Sequence, residues 1–307
     1  MTDGARTAFA DRLAALVEER RSQLCLGLDP DPAKLWPGSV HPGREAVDAS
    51  EVALLTASAV TSHCIRAIDA AGPSCVAVKP QLACFERLGA VGWGALEAVV
   101  AAAQDAGLLV VADGKRGDVP VTARAYAQAL VGETPGPFGP VPGLGADAFT
   151  ANPLLGRDAL EPLTDSGAGV FVLVRTSNPG AAEVQDEPAD APLHERLARL
   201  VDAIGSDHVG ACGLSSIGAV TGATRPDLLQ RLRDLMPRAI FLLPGVGAQG
   251  GAVDDLAPAF APHPAAGLIT ASRSIVNAYE KAGGEPARAA AEAAEELRKA
   301  AWRHATS

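Results

Sequence analysis

The chain has 307 residues, of which 48% are hydrophobic and 20% charged, with a formal net charge of -10. This is enough apolar material for a large buried core, and residues 1–307 read as a single domain. An acidic chain without a basic cluster is repelled by DNA, RNA and anionic lipid, which excludes nucleic-acid and membrane-surface partners but leaves a small anionic ligand open.

Cys25, Cys64, Cys75, Cys84 and Cys212 form no C-x-x-C pair and read as free thiols of a reducing compartment. The six histidines lack metal-ligand spacing, so no metal is expected. The N-terminus, with Asp3, lacks the apolar run of a signal peptide, and no stretch is long and apolar enough to span a bilayer. The expectation is a soluble cytoplasmic protein.

In chain order, a helix is expected over residues 5–20, followed by a strand at 23–29 (QLCLGLD) and a proline-rich loop at 30–43. Strands are expected at 75–81 (CVAVKPQ), 108–113 (LLVVAD) and 146–151 (ADAFTA). Four more are expected at 169–175 (GVFVLVR), 208–213 (HVGACG), 239–244 (AIFLLP) and 266–270 (AGLIT). Their continuous apolar runs are those of parallel strands buried on both faces. Helical patterns at 93–106, 123–131, 193–204 and 226–235 lie between them, and an Ala/Glu-rich helix at 286–305 closes the chain, packed on the outside. Eight alternations of strand and helix predict an α/β fold, a (β/α)8 TIM barrel with extra N- and C-terminal helices, over an open doubly wound sheet. Residues 134–145 (TPGPFGPVPGLG) are too rich in Pro and Gly for regular structure. Residues 180–192 form a long acidic loop after strand five, at the end where barrel loops carry function.

Active sites of barrels lie at the C-terminal ends of the strands. Strand one ends in Asp29, strand two in Lys79, and strand three in Asp113, followed by Lys115 and Asp118. These five charges are either a salt-bridge network of the rim or a site. Carboxylates flanking a lysine hold it charged and in place, as a donor of a proton to a carbanion and not as a Schiff-base amine. The same carboxylates would repel a negative substrate group that the reaction removes. Asp118 also reads as a helix N-cap, with Pro120 near the first helical position.

The late strands offer a second constellation. Gly245, Gly247 and Gly250 in PGVGAQGG follow strand seven, and TASRS with Arg273 follows strand eight. The G-x-G-x-x-G match alone is weak, and the acidic residue that a dinucleotide site needs after the next strand is missing. Glycine-loop amides and an arginine fork at a helix N-terminus suit a phosphate; a tight turn with a solvated arginine is the plain alternative.

These motifs resemble the orotidine 5'-phosphate decarboxylases, in their longer bacterial branch. The resemblance rests on DGKRGD (113–118) with Thr122, Lys79 in VKPQ, and LDPD around Asp29. NPLLG (152–156), TSNPG (176–180) and PGVGAQGG extend it in order over nearly the whole chain. It implies a homodimeric barrel with shared active sites, acting without cofactor on a small nucleotide, orotidine 5'-phosphate, to give uridine 5'-phosphate in the last step of pyrimidine synthesis. It implies Lys115 as proton donor to carbon 6, Asp113 against the leaving carboxylate, and Lys79 and Asp118 completing the charge network. Asp118 and Thr122 would come from the partner subunit. Asp29 and Lys79 would touch the ribose, Ser177 the pyrimidine, and Gln249 and Arg273 the phosphate, with Asn152 also at the substrate. Ser272 departs from the glycine that many members carry before the arginine. The rivals are a magnesium-dependent sugar-phosphate lyase of the same superfamily and a non-catalytic phosphate-binding barrel.

Overall fold

Eight short apolar strands pair in parallel and close on themselves: β1 (Leu24–Leu28), β2 (Ala77–Pro80), β3 (Leu109–Arg116), β4 (Ala148–Ala151), β5 (Gly169–Arg175), β6 (Ser215–Thr221), β7 (Ala239–Pro244) and β8 (Gly267–Ala271). Each strand bonds to its neighbours in sequence, and β8 returns to β1 with Cys25 opposite Thr270. The computed structural model describes residues 7–40, 46–247 and 250–306. Helices α1 (Phe9–Arg20), α2 (Ala49–Ala71), α3 (Ala90–Asp105), α4 (Pro120–Leu130), α5 (Arg157–Thr164), α6 (Leu193–Gly205), α7 (Pro226–Leu235), α8 (Arg273–Val276) and α9 (Pro286–Ala305) accompany the barrel. After β7 the crossover is a 3-10 stretch, Val253–Phe260. The closed sheet is the (β/α)8 barrel expected, not an open doubly wound sheet.

Alternation along each strand produces two cores. One set of side chains, including Leu26, Val78, Val110 and Phe149, faces the outer helices. The other, including Cys25, Ala77, Val111, Phe171 and Leu268, fills the barrel interior. Helix α1 belongs to the second set and plugs the N-terminal mouth: Phe9, Leu13 and Val17 are buried in the interior cluster. The Phe9 ring meets Phe171 edge-on at 5.9 Å. It occupies the space where a Cβ on Gly169 would stand, 2.4 Å from the ring. Polar contacts orient the plug, with Arg12 Nη1 donating to Asp147 at 2.6 Å and Asp11 accepting from the amide of Cys212 at 2.8 Å. Helix α9 lies in the outer layer, burying Ala290, Ala294 and Ala301.

Several expectations need correction. The sixth strand is Ser215–Thr221, not 208–213. The earlier segment is a 3-10 turn and a loop in which Gly213 takes φ 82°. Polar Ser215 and Ser216 and the central Gly218 hid the true strand. Gly218 is required there because an added Cβ would stand 2.4 Å from the carbonyl oxygen of Ile240. Residues 134–145 are not wholly irregular, since Glu133–Thr134 and Val141–Pro142 form a two-residue antiparallel ladder. Helices α2 and α5 were not read from the sequence. The expected N-cap at Asp118 is one residue early: Val119 is the N-cap and Pro120 opens the helix. Residues 5–6 and 41–43 of the expected first helix and proline-rich loop lie outside the described residues. All five cysteines are unpaired thiols, with Cys25, Cys64 and Cys75 buried.

Truncating the plug tests its importance. Phe9→Ala should destabilise the fold by about 3–5 kcal/mol, the usual cost of removing a buried aromatic ring. Urea unfolding would measure this. Activity at a permissive temperature should be unchanged, because Phe9 stands at the mouth away from the strand C-termini.

Candidate active site

The interior alternation carries on to the C-terminal rim. Along β2, Ala77 faces inward and Lys79 is the next inward position; along β3, Leu109 and Val111 face inward and Asp113 follows. Two charged side chains therefore stand in the layer directly above the apolar interior, Lys79 7% and Asp113 5% exposed. At that depth an unpaired charge is untenable. Lys79 donates to Oδ2 of Asp113. Lys115 Nζ donates to Oδ1 at 2.7 Å, and the Thr150 hydroxyl donates to the same oxygen at 2.9 Å. Gln81 Nε2 adds a longer bond to Oδ2 at 3.2 Å. Both carboxylate oxygens are thus fully committed.

Lys115 reaches Asp113 through an irregular backbone. Its φ of 49° is left-handed, a conformation that costs a non-glycine residue about 1–2 kcal/mol. The β3–β4 register shifts between Ala112 and Arg116, a bulge of the kind that re-aims side chains beside sites. Thr150 secures the bend, because its hydroxyl accepts from the Lys115 amide at 2.8 Å while donating to Asp113. Arg116 is directed outward instead, to Glu86 and over the Tyr126 ring.

Electrostatics follow from this packing. Burial works to raise the Asp113 carboxyl, but Lys79 and Lys115 outweigh it and hold it at about 2. Burial works to lower Lys79, and the charges of Asp113 and Asp29 overcome it, so the ammonium is held more firmly than usual. At neutral pH the cluster is a carboxylate between two ammoniums.

A cavity of about 240 Å³ opens beside this cluster, lined by Asp29, Lys79, Gln81, Gly245, Ser272 and Arg273. Arg273 also borders a second cavity, of about 370 Å³, with Gly247, Ser274 and Lys281. Arg273 is the first residue of α8 and forms no ion pair among the described residues. Gly245, Gly247 and Gly250 all have positive φ, at 103°, 74° and 91°. The turn they form packs on α8, where a Cβ at Gly247 would lie 3.1 Å from that of Ser274. Ser272 is accommodated from below: it stands over Gly27 of β1, where an added Cβ would come within 2.8 Å of the serine Cβ. A larger groove of about 510 Å³ between α4 and α5 includes Arg124, Glu133 and Asp158. It contains none of the strand-end residues, so the candidate site is the smaller cavity.

The remaining expected residues are spread around this rim. Asn152 Oδ1 accepts from the Leu154 amide at 3.0 Å, and Gly117 packs on Asn152 so closely that a Cβ would lie 2.7 Å from its carbonyl oxygen. Ser177 follows β5. Asp118 is partly exposed and accepts from the Val119 amide at 2.7 Å; it forms no ion pair among the described residues and does not join the Lys79–Asp113–Lys115 cluster. Thr122 is in the first turn of α4. Gln249 lies outside the described residues. Sequence reasoning missed Gln81 and Thr150. Both are polar residues at the C-terminal ends of buried strand runs, and that position was the available signal.

The chain is similar to a known family along most of its length. Residues 22–293 match the Orotidine 5'-phosphate decarboxylase / HUMPS family. The orotidine 5'-phosphate decarboxylase of Rhodopirellula baltica is 40% identical over 278 residues, which cover 89% of each chain. That of Haloarcula marismortui is 42% identical over 280 residues, covering 89% of this chain and 88% of its own. The solved structure of Leishmania donovani OMP decarboxylase is 32% identical with a TM-score of 0.70, covering 97% of this chain and all of that one.

The Asp113 shift predicts a specific acid response. A carboxyl held near 2 in the fold, against about 3.9 when unfolded, contributes stability that is present above the unfolded value and lost as pH falls towards the folded one. Between about pH 4 and pH 2 the native chain should lose about 2 kcal/mol more stability than Asp113→Asn, whose amide does not titrate. Urea unfolding at several pH values measures the difference, and parallel curves would show that the lysines do not hold Asp113 down.

Proposed function

This chain belongs to the Orotidine 5'-phosphate decarboxylase / HUMPS family, and we propose that its Lys79–Asp113–Lys115 cluster carries out the decarboxylation of orotidine 5'-phosphate to uridine 5'-phosphate. The chain is a carboxy-lyase of pyrimidine synthesis, catalysing the last step of that route. The observation that carries the assignment of the reaction to this cluster is the ion triplet at the barrel mouth, next to a cavity that Arg273 also lines.

In this reading Arg273 and the glycine turn hold the phosphate, with Gln249 joining them. Asp29 and Lys79 bond the ribose hydroxyls, and Ser177 and Asn152 meet the pyrimidine side. Asp113, charged at neutral pH, faces the substrate carboxylate. Their repulsion is relieved only as the carboxylate departs, which favours the transition state over the bound substrate. The bond from C6 to the carboxylate carbon breaks, its electron pair stays on C6, and carbon dioxide leaves. The Lys115 ammonium then delivers a proton to C6, and the amine regains one from solvent. Lys115 is suited to this because its ion pair with Asp113 fixes its ammonium and its φ of 49° aims it from the rim.

The reading needs no metal or organic cofactor. Both oxygens of Asp113 are occupied by lysines, threonine and glutamine, a donor set that repels a divalent ion. The magnesium-dependent sugar-phosphate lyase is therefore not favoured, and the family match to decarboxylases does not favour a silent binding barrel. Cytoplasmic location is part of the proposal, supported by the five unpaired thiols; no helix among the described residues is long and apolar enough to cross a membrane.

We also propose a homodimer with composite sites, in which Asp118 and Thr122 complete the partner's cluster. Asp118 has no counter-charge among the described residues of its own chain. Val119 and Val121 beside it are 54% and 83% exposed, and Leu154 and Leu155, after Asn152, are 66% and 46% exposed. Apolar side chains grouped in this way are the surface that a two-fold interface buries.

Ultraviolet absorbance of orotidine 5'-phosphate reports turnover directly. The native chain should consume it equally with and without chelator, whereas loss in chelator and return with magnesium would support the sugar-phosphate rival. Lys115→Ala should lower turnover by at least about 10²–10⁴-fold, the scale of general acid catalysis. A change below about tenfold would make Lys115 a rim ion-pair residue.

Mixing variants tests the composite site. Lys115→Ala and Asp118→Ala, each nearly inactive, are combined under conditions of subunit exchange. About half the dimers become mixed, and each has one site with both lesions and one with none, so about a quarter of all sites should recover. No recovery with exchange confirmed would place both residues in the same chain's site.

A further inference from the structure

The loop after β5 contains a network that the reaction scheme does not use. Arg175 ends β5 and is only 4% exposed. Its Nε and Nη2 donate to the two oxygens of Asp186 at 2.8 and 3.0 Å, a bidentate fork. Arg225, from the loop after β6, donates to the same carboxylate at 3.1 Å. His194 of α6 places Nδ1 3.1 Å from Asp186 and 2.8 Å from the carbonyl oxygen of Gln185. One carboxylate therefore joins a barrel strand, the loop that follows it, the next helix and the neighbouring loop. The surrounding guanidinium groups hold it below the usual carboxylate range, the Arg175 hydrogen bond first among them and opposed by partial burial.

The network encloses Ser177. On one side, the Gln185 side-chain oxygen accepts from the Thr176 amide at 2.8 Å, closing the loop onto the residue before the serine. On the other, the Thr224 hydroxyl donates to the Ser177 carbonyl oxygen at 3.3 Å. Gly222 fits against the serine backbone, where an added Cβ would be 2.8 Å from the Ser177 Cα. Thr224 and Gly222 lie on the same loop as Arg225. The Arg175–Asp186–Arg225 link thus sets the separation of the two segments that grip Ser177.

We infer that Asp186 is a positioning residue: by joining Arg175 to Arg225 it places Ser177 over the pyrimidine end of the substrate. This rests on the decarboxylase reading, in which Ser177 meets the base and Arg273 the phosphate. The two ends of the ligand can therefore be tested separately. Ribose 5-phosphate retains the groups read by Arg273 and Asp29 but has no base, whereas uridine 5'-phosphate has all three.

The variants are Asp186→Asn and Asp186→Glu, with Arg225→Gln as a milder lesion that leaves the buried Arg175–Asp186 pair intact. In Asp186→Asn, the inhibition constant of uridine 5'-phosphate should rise by about 10- to 100-fold, the scale of a misplaced binding group. That of ribose 5-phosphate should stay within about twofold, a change too small to report a lost contact. Arg225→Gln should show the same selectivity at smaller amplitude, and Asp186→Glu should recover part of the loss. In the double variant Ser177→Ala, Asp186→Asn, the loss should not exceed that of the worse single variant, because one acts through the other. Should Asp186→Asn not fold, as judged by its thermal unfolding midpoint, Arg225→Gln carries the test alone. Equal weakening of both ligands, or additive losses in the double variant, would make the network structural and overturn the inference. If the native chain neither consumes orotidine 5'-phosphate nor binds uridine 5'-phosphate, the functional reading itself falls and takes this inference with it. If it does both and these variants bind uridine 5'-phosphate normally, only the positioning role falls.

Discussion

A carboxylate stands where the apolar barrel interior meets the open rim, and it can stay there only because two ammoniums come to it. Asp113 is set inward by the alternation of β3, and Lys79 by that of β2. Each is the strongest opposite charge acting on the other at that depth. Lys115 is drawn to the second oxygen by a bulge and a left-handed residue that a regular strand would not contain. The strain is held by Thr150, from the next strand, whose hydroxyl touches both the bent backbone and the carboxylate. Charge, depth and backbone irregularity are three consequences of one buried anion.

The rest of the barrel supports that arrangement. Pairing of β2 with β1 and β3 keeps Lys79 and Asp113 in adjacent columns, and the interior below them is closed by α1. The plug makes the N-terminal mouth part of the core. Burial and openness are in this way separated along the barrel axis: packing at the bottom, the candidate site at the top.

Around the rim, the strands divide the work by charge. The early strands present the ion cluster, which suits a group that loses a carboxylate. The late strands present Arg273 and a turn of positive-φ glycines, which suit a group that keeps its phosphate. Between them the loops after β5 and β6 are joined by ion pairs instead of regular structure. Side-chain links hold those loops without adding a strand to the closed sheet.

Much of this was legible in the residues. Continuous apolar runs announced buried parallel strands, and their number announced a closed barrel. Charged residues closing three successive runs marked the candidate site, because a charge at the end of a buried strand must be paired or used. The placement of β6 was not legible, since Ser215, Ser216 and Gly218 lack the apolar signature; their fitness for a strand depends on the neighbours they touch, Gly218 above all. The roles of Gln81 and Thr150 were hidden for a similar reason, a polar side chain having no evident purpose until its partner across the sheet is known. Nor could spacing reveal that Asp186 reaches Arg175 and Arg225, one of them 39 residues away. Composition and periodicity act along the chain and determined the barrel, its polarity and the residues at its rim. Register, bulge and loop closure act between segments, so only the tertiary structure decided which of those residues meet.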